Sequence, residues 1–258
     1  MKINIDNLDI NYIVEGNSPE KILLLHGWGS NIRLFKNIID CLSKTKTVYA
    51  LDMPGFGESD EPPCAWNVDN YVDLVIKFIS EMKIEKLSIL GHSFGGRVII
   101  KLVNRKNLNF VVNKIILVDS AGIKPKKSLK NILKVRMFKI GKKIVSTNLI
   151  KKMYPNALEN LKNKFGSQDY KSASPIMRES LVKTVNEDLT YLLKDIKQST
   201  LLIWGDKDTA TPIKDAYLMN KLIPDSGIVK IENAGHYSFL EQPILVNRVL
   251  ESFLKVKE

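Results

Sequence analysis

From residue 1 to about residue 120, short runs rich in β-branched residues and leucine alternate with longer segments whose apolar residues recur at helical spacing. That alternation predicts strands joined by crossover helices in a mostly parallel sheet. The opening runs INI and DINYIVEG read as an antiparallel hairpin at one sheet edge. KILLLHG, from Lys21, is apolar without alternation, as a strand buried on both faces should be. VYALD, LSILGHS and KIILVDS repeat that character. Between Asn31 and Ser43 the apolar residues Ile32, Phe35, Ile38, Ile39 and Leu42 share one helical face. Further helices are expected near Asn67 to Met82, with Asn67 as N-cap, and from Phe94 to Asn104.

The pattern changes after Gly122, where residues 123–196 hold no convincing strand and much Lys, Leu, Ile and Asn. This predicts a helical cap inserted into a core made of residues 1–122 and 197–258. Alternation resumes with TLLIWGD, a helix from about Pro212 to Leu222, the strand GIVKIE and a last helix from Glu241 to about Val256.

With 258 residues, 44% of them hydrophobic, the chain is long enough for one sizeable core plus such an insertion. Its first residues alternate in polarity and include acids, unlike a secretory leader, so a cytoplasmic location is expected. No run approaches the ~20 apolar residues that span a bilayer. Cys41 and Cys64 show no pattern for metal or for a disulfide framework. The net charge of +11 is concentrated: Lys124 to Lys164 carry thirteen Lys or Arg against Glu159 alone. Such a segment is either a solvated helical surface or an attractor for an anionic substrate, a carrier-linked acyl chain or an anionic membrane surface, which admits peripheral contact. Nucleic acid is not expected, because the segment lacks interleaved aromatics and any recognised binding module.

The chemistry is concentrated in Gly91-His92-Ser93-Phe94-Gly95, a G-x-S-x-G between a buried strand and a helix. In that context the motif is a nucleophile elbow, with small residues flanking a serine held in a strained turn. A serine hydroxyl needs a base, and the base needs an orienting acid. Of the three histidines, His26 sits beside a glycine turn and His92 lies inside the elbow, which leaves His236, on a loop after a late strand, as base. For the acid, LLIWGDKD offers Asp206 and Asp208, and Asp208 is preferred; Asp119, after KIILV, is the competitor. His26-Gly27-Trp28-Gly29 supplies the Trp28 amide as one oxyanion donor, and the Phe94 amide, just after the serine, gives the second.

These motifs, HGWG, then Asp52-x-Pro54-Gly55-x-Gly57-x-Ser59, GHSFGG, WGDKD and the AGH before Tyr237, occur in an order that resembles the α/β-hydrolase family over nearly the whole chain. The resemblance implies an α/β fold with a mostly parallel eight-stranded sheet, helices on both faces and a helical lid after the sixth strand. It matches Ser93, Asp208 and His236 to nucleophile, acid and base, and Trp28 and Phe94 to the oxyanion hole. The Asp52 to Ser59 segment matches a mainly structural loop. HGWG looks like the loop of pimeloyl-carrier-protein methyl esterases, whereas carbon-carbon hydrolases of dienone acids usually carry Asn at the place of His92 and Trp at that of Tyr237. The leading expectation is therefore a carboxylic-ester hydrolase acting on a small ester or acyl substrate, with neither cofactor nor metal. Hydrolysis of a carbon-carbon bond in a vinylogous keto acid by the same residues, and a non-catalytic ligand-binding protein on the same fold, are the competing expectations.

Overall fold

A computed structural model describes residues 1–124 and 168–255, together with Arg136, Met137, Ile140, Gly141 and Asn156. Most of the lysine-rich segment, and the expectations attached to it, lie outside the described residues; Lys124 and Arg136 are its described cations.

The sheet follows the hydrophobic pattern. Its strands are β1 (Lys2–Ile5), β2 (Leu8–Glu15), β3 (Lys21–Leu25), β4 (Thr47–Leu51), β5 (Lys86–His92), β6 (Val111–Val118), β7 (Ser199–Gly205) and β8 (Ser226–Ile231). They lie in the order β1-β2-β4-β3-β5-β6-β7-β8, and only the pairings of β2 with β1 and β4 are antiparallel. Because side chains alternate across a strand, each central strand feeds two cores. Leu23 and Leu25 of β3, Ile89 of β5 and Trp204 of β7 pack on one face, while Ile22, Leu24, Leu90 and Ile203 pack on the other.

Helices α2 (Val68–Glu81) and α3 (Phe94–Leu102) cover the first face. The second face carries α1 (Lys36–Leu42) and the C-terminal helix Pro243–Leu254. Asn67 caps α2 in a reciprocal capping box with Asn70, as its position before the apolar run predicts. Two expected helices differ at their starts. Asn31 caps a short 3-10 turn, Ile32–Phe35, before α1, where the Ile32 amide is drawn to Asp52 Oδ1 at 2.8 Å. The last helix, expected from Glu241, starts at Pro243, because the proline disfavours helical geometry at Gln242, φ −131° and ψ 57°. Ser238–Glu241 is therefore a separate turn of helix.

Within residues 123–196 the described portion contains no strand; it holds helices α4 (Gln168–Ser172) and α5 (Pro175–Val185) and a 3-10 segment, Thr190–Asp195. The returning stem is tied to the core by Leu189 N donating to Gly122 O at 2.9 Å. Charged residues reinforce it, since Lys101 of α3 reaches Asp69 and Glu187 at 2.6 Å each, and buried Arg97 donates to the Glu187 carbonyl. Among the described residues no helix is long and apolar enough to cross a membrane.

One buried carboxylate organises the loop after β4. Asp52, 2% exposed, accepts hydrogen bonds from Ile32 N, Asn11 Nδ2 and Glu58 N at 2.8, 2.8 and 2.9 Å. Removing it leaves those donors without their acceptor in a site closed to water. Asp52→Ala is expected to lower the unfolding free energy by about 3 kcal/mol in urea titrations. A loss below about 1 kcal/mol would mean that water replaces the carboxylate.

Candidate active site

Parallel strands deliver their following loops to one edge of the sheet, the usual place for chemistry in open α/β sheets. Ser93 follows β5, Asp119 follows β6, Asp208 lies three residues beyond β7, His236 follows β8, and Trp28 lies three residues beyond β3. Residues far apart in sequence thereby converge.

At the elbow the chain passes from β5 to α3 through Ser93, whose φ of 50° and ψ of −110° are strained for a residue with a side chain. The turn closes only because its flanks are small: a methyl group on Gly95 would collide with the Leu25 carbonyl, and one on Gly91 with the main chain at Gly95 and Gly96. Ser93 N donates to Val118 O at 3.1 Å, and Ala121 N donates to Ser93 O at 3.0 Å, so β6 and its loop brace the turn.

His236 Nε2 lies 3.0 Å from Ser93 Oγ, and His236 Nδ1 lies 2.8 Å from Asp208 Oδ2. The Asp208 side chain is fully enclosed while the His236 side chain is 20% exposed. Burial alone would raise the Asp208 carboxyl, but hydrogen bonds from His236 and Thr211 outweigh it and hold the group below the ordinary carboxylate range. Asp208 Oδ1 also accepts from Ala210 N and Thr211 N at 2.7 and 2.9 Å. The loop is pinned from beneath by the buried Trp204, whose indole N–H donates to Thr211 O at 2.7 Å.

The remaining candidates are engaged elsewhere. His26 is buried and uncharged: its Nε2 accepts from Met53 N at 2.9 Å, which leaves Nδ1 to donate to Gly27 O at 2.7 Å. His92 is pushed down to about 3, by burial first and then by the neighbouring His236, and its Nε2–H donates to the His236 carbonyl at 2.8 Å. Asp206 makes no hydrogen bond to His236; its main-chain amide donates to Ile231 O at 3.1 Å, and its buried Oδ1 has no hydrogen-bond partner among the described residues. Asp119 accepts from Gly205 N and from the amide and hydroxyl of Ser238, with no contact to His236.

The His26-Gly27-Trp28 loop lies directly over the serine. A Cβ on Gly27 would stand 3.3 Å from Ser93 Cβ and 2.8 Å from His92 Nδ1. Among the described residues, neither the Trp28 nor the Phe94 amide donates to another protein group. The Trp28 ring packs edge-to-face on Phe94 and Phe56, with centroids 5.2 and 4.9 Å apart.

Two contributors escape a reading of the sequence. Thr211 places its hydroxyl 2.7 Å from Asp208 Oδ2 and 3.3 Å from His236 Nδ1, and Ser238 ties the His236 loop to Asp119. Thr211 has a local signal, an Asp three positions ahead of it in an Asx-type turn. Ser238 has none, because its partner is 119 positions away.

Burial pushes the Asp119 carboxyl up to about 6, against three hydrogen bonds that favour its charge. A raised carboxyl binds its proton more tightly in the folded chain. Its contribution to stability is therefore full below the unfolded value near 3.8 and is lost as pH rises through about 6. Asp119→Asn removes this dependence. The stability of wild type relative to that variant is expected to fall by roughly 2 kcal/mol between about pH 4 and pH 7, read from urea unfolding. A difference independent of pH would contradict the burial argument.

Comparison with known proteins agrees with this architecture. A relative from Wigglesworthia glossinidia brevipalpis, named pimeloyl-[acyl-carrier protein] methyl ester esterase, is 29% identical over 93% of this chain and 95% of its own. A 2-hydroxy-6-oxo-6-(2'-aminophenyl)hexa-2,4-dienoic acid hydrolase from Metapseudomonas resinovorans is 25% identical over 93% of this chain and 86% of its own. The crystal structure of the enol-lactonase from Burkholderia xenovorans LB400 superposes with a TM-score of 0.75 at 19% identity, covering 98% of this chain and 99% of that one. The model of the alpha/beta hydrolase fold family matches residues 21–142 and 143–243. With the sheet order, the strand-turn-helix at Ser93 and this match in agreement, the chain belongs to the α/β-hydrolase fold family.

Proposed function

We propose that this hydrolase-family protein is a serine hydrolase cleaving a carboxylic ester or related acyl bond, with Ser93 as nucleophile, His236 as base and Asp208 as the acid that orients it. The observation that carries the reading is the continuous hydrogen-bonded chain from Ser93 Oγ through His236 to Asp208. His236 Nε2 takes the Ser93 proton as Oγ attacks the acyl carbon. Asp208, ionised and fixed by Thr211 and Ala210, keeps the other ring nitrogen protonated and stabilises the imidazolium that forms.

The tetrahedral oxyanion then faces the Trp28 and Phe94 amides, donors worth about 3 kcal/mol each in such sites. Collapse expels the alcohol, which takes its proton from His236. Water, activated by the same histidine, attacks the acyl-enzyme and releases the carboxylic acid. These steps call on no metal or organic cofactor.

The substrate we infer is a small-molecule ester. The esterase relative supports this choice, and the positive charge concentrated between Lys124 and Lys164 favours an anionic or carrier-linked acyl group. A second reading, cleavage of a carbon-carbon bond in a vinylogous keto acid by the same three residues, is favoured by the dienoic acid hydrolase relative.

Hydrolysis of p-nitrophenyl esters from acetate to palmitate, run beside a chromogenic dienone acid, tests both. Wild type is expected to turn over esters faster than the dienone acid, and Ser93→Ala to lose at least about 10³-fold in kcat. Faster turnover of the dienone acid would replace the first reading with the second. Ester turnover that survives in Ser93→Ala would remove Ser93 from the mechanism.

A further inference from the structure

Asp119 is a buried carboxylate that the proposed mechanism does not use. It sits where β6 ends, 0% exposed, with its main chain held at φ 45°, a left-handed conformation rare for a residue with a side chain. Among the described residues no cation pairs with it, and its hydrogen-bond partners are Gly205 N at 2.8 Å on Oδ1, with Ser238 N at 3.0 Å and Ser238 Oγ at 2.6 Å on Oδ2. Burying a charge without a cation is costly, and here that cost is offset by three neutral donors that would in turn be left without an acceptor if the carboxylate were removed.

The placement of the donors gives the residue its use. Gly205 ends β7 and lies three positions before Asp208, while Ser238 lies two positions after His236. One carboxylate therefore spans the loop of the acid and the loop of the base. Its own main chain completes the frame: the Asp119 carbonyl is 3.0 Å from Thr211 Oγ1, and the adjoining Val118 and Ala121 bond the main chain of Ser93. A segment of four residues thus touches the settings of Ser93, Asp208 and His236 together.

We propose that Asp119 is a positioning residue for the Ser93-His236-Asp208 chain, fixing the His236 loop against the Asp208 loop through Ser238 and Gly205; its kinetic role rests on the serine-hydrolase reading above. The geometry is selective for a carboxylate. An asparagine offers one acceptor oxygen, and its NH₂ group would point a donor at either Gly205 N–H or Ser238. The two loops then have no common acceptor, and the distance from His236 to its partners is no longer fixed. The titratable groups around the clamp are Asp208 on the β7 loop, His236 on the β8 loop and His92 behind His236.

The test compares wild type, Asp119→Asn and Ser238→Ala by ester kinetics at neutral pH, thermal unfolding, and the low-field proton resonance of the hydrogen bond between His236 and Asp208. Displacement of reacting groups by an ångström lowers rates by about 10²-fold, which is the expected loss in kcat for Asp119→Asn with KM nearly unchanged. Ser238→Ala removes a single hydrogen bond and is expected to lose up to about tenfold in kcat. In both variants the low-field resonance should shift or broaden while the fold is retained. If Asp119→Asn does not fold, Ser238→Ala alone decides.

An unchanged resonance in the folded variants would overturn the proposal whatever the rates, as would activity that falls only in proportion to the unfolded fraction. A wild type inert toward every ester, with the resonance still displaced in the variants, would leave the clamp standing and remove the ester-hydrolase reading.

Discussion

The site depends on one main-chain reversal. At Ser93 the chain leaves a strand buried on both faces and enters a helix within a single residue, and that residue takes a positive φ to do so. The strain is tolerated because neighbours remove every alternative. Gly91 and Gly95 let the strand, the helix and the end of β3 approach closer than any side chain permits, and main-chain bonds to Val118 and Ala121 lock the turn from the β6 side. Everything else at the edge is arranged around the hydroxyl that this reversal presents. The His26-Trp28 loop closes over it, and His236 reaches it from the end of β8.

Much of this was legible in the sequence because the signals are local. Unalternating apolar runs mark the central strands, since both faces are buried and no polar side chain is admitted to either. The elbow is written in five consecutive residues, and the Asn67 cap in four. The histidines sorted themselves by context, and the structure shows the physical basis for His26 and His92: each is buried, uncharged and bonded to a main-chain group. The changes at Phe35 and Gln242 were less legible. The first falls within a continuous helical run of apolar residues, and in the second the proline stands inside an uninterrupted apolar period.

Non-local bonds are what sequence hides. Asp119 and Asp208 both follow apolar strands at the same sheet edge; the WGDKD turn favours Asp208 for the partner of His236 but leaves Asp119 as a competitor. The fold decides it through reach: the Asp208 loop extends three residues beyond β7, while Asp119 stays at the end of β6 and turns its carboxylate to Gly205 and Ser238. Family membership establishes the fold, and relatives named as hydrolases support hydrolysis without fixing the bond to be cleaved. Relatives named for an ester and for a dienoic acid match this chain at similar identity, and the frame described above is compatible with both.

The most direct measurement of the central claim is covalent labelling with a fluorophosphonate, followed by intact mass and peptide mapping, for wild type and His236→Ala. A single adduct on Ser93, formed rapidly in wild type and slowed by orders of magnitude in His236→Ala, is the result the account predicts. Labelling of another residue, or of Ser93 at the same rate without His236, would contradict it.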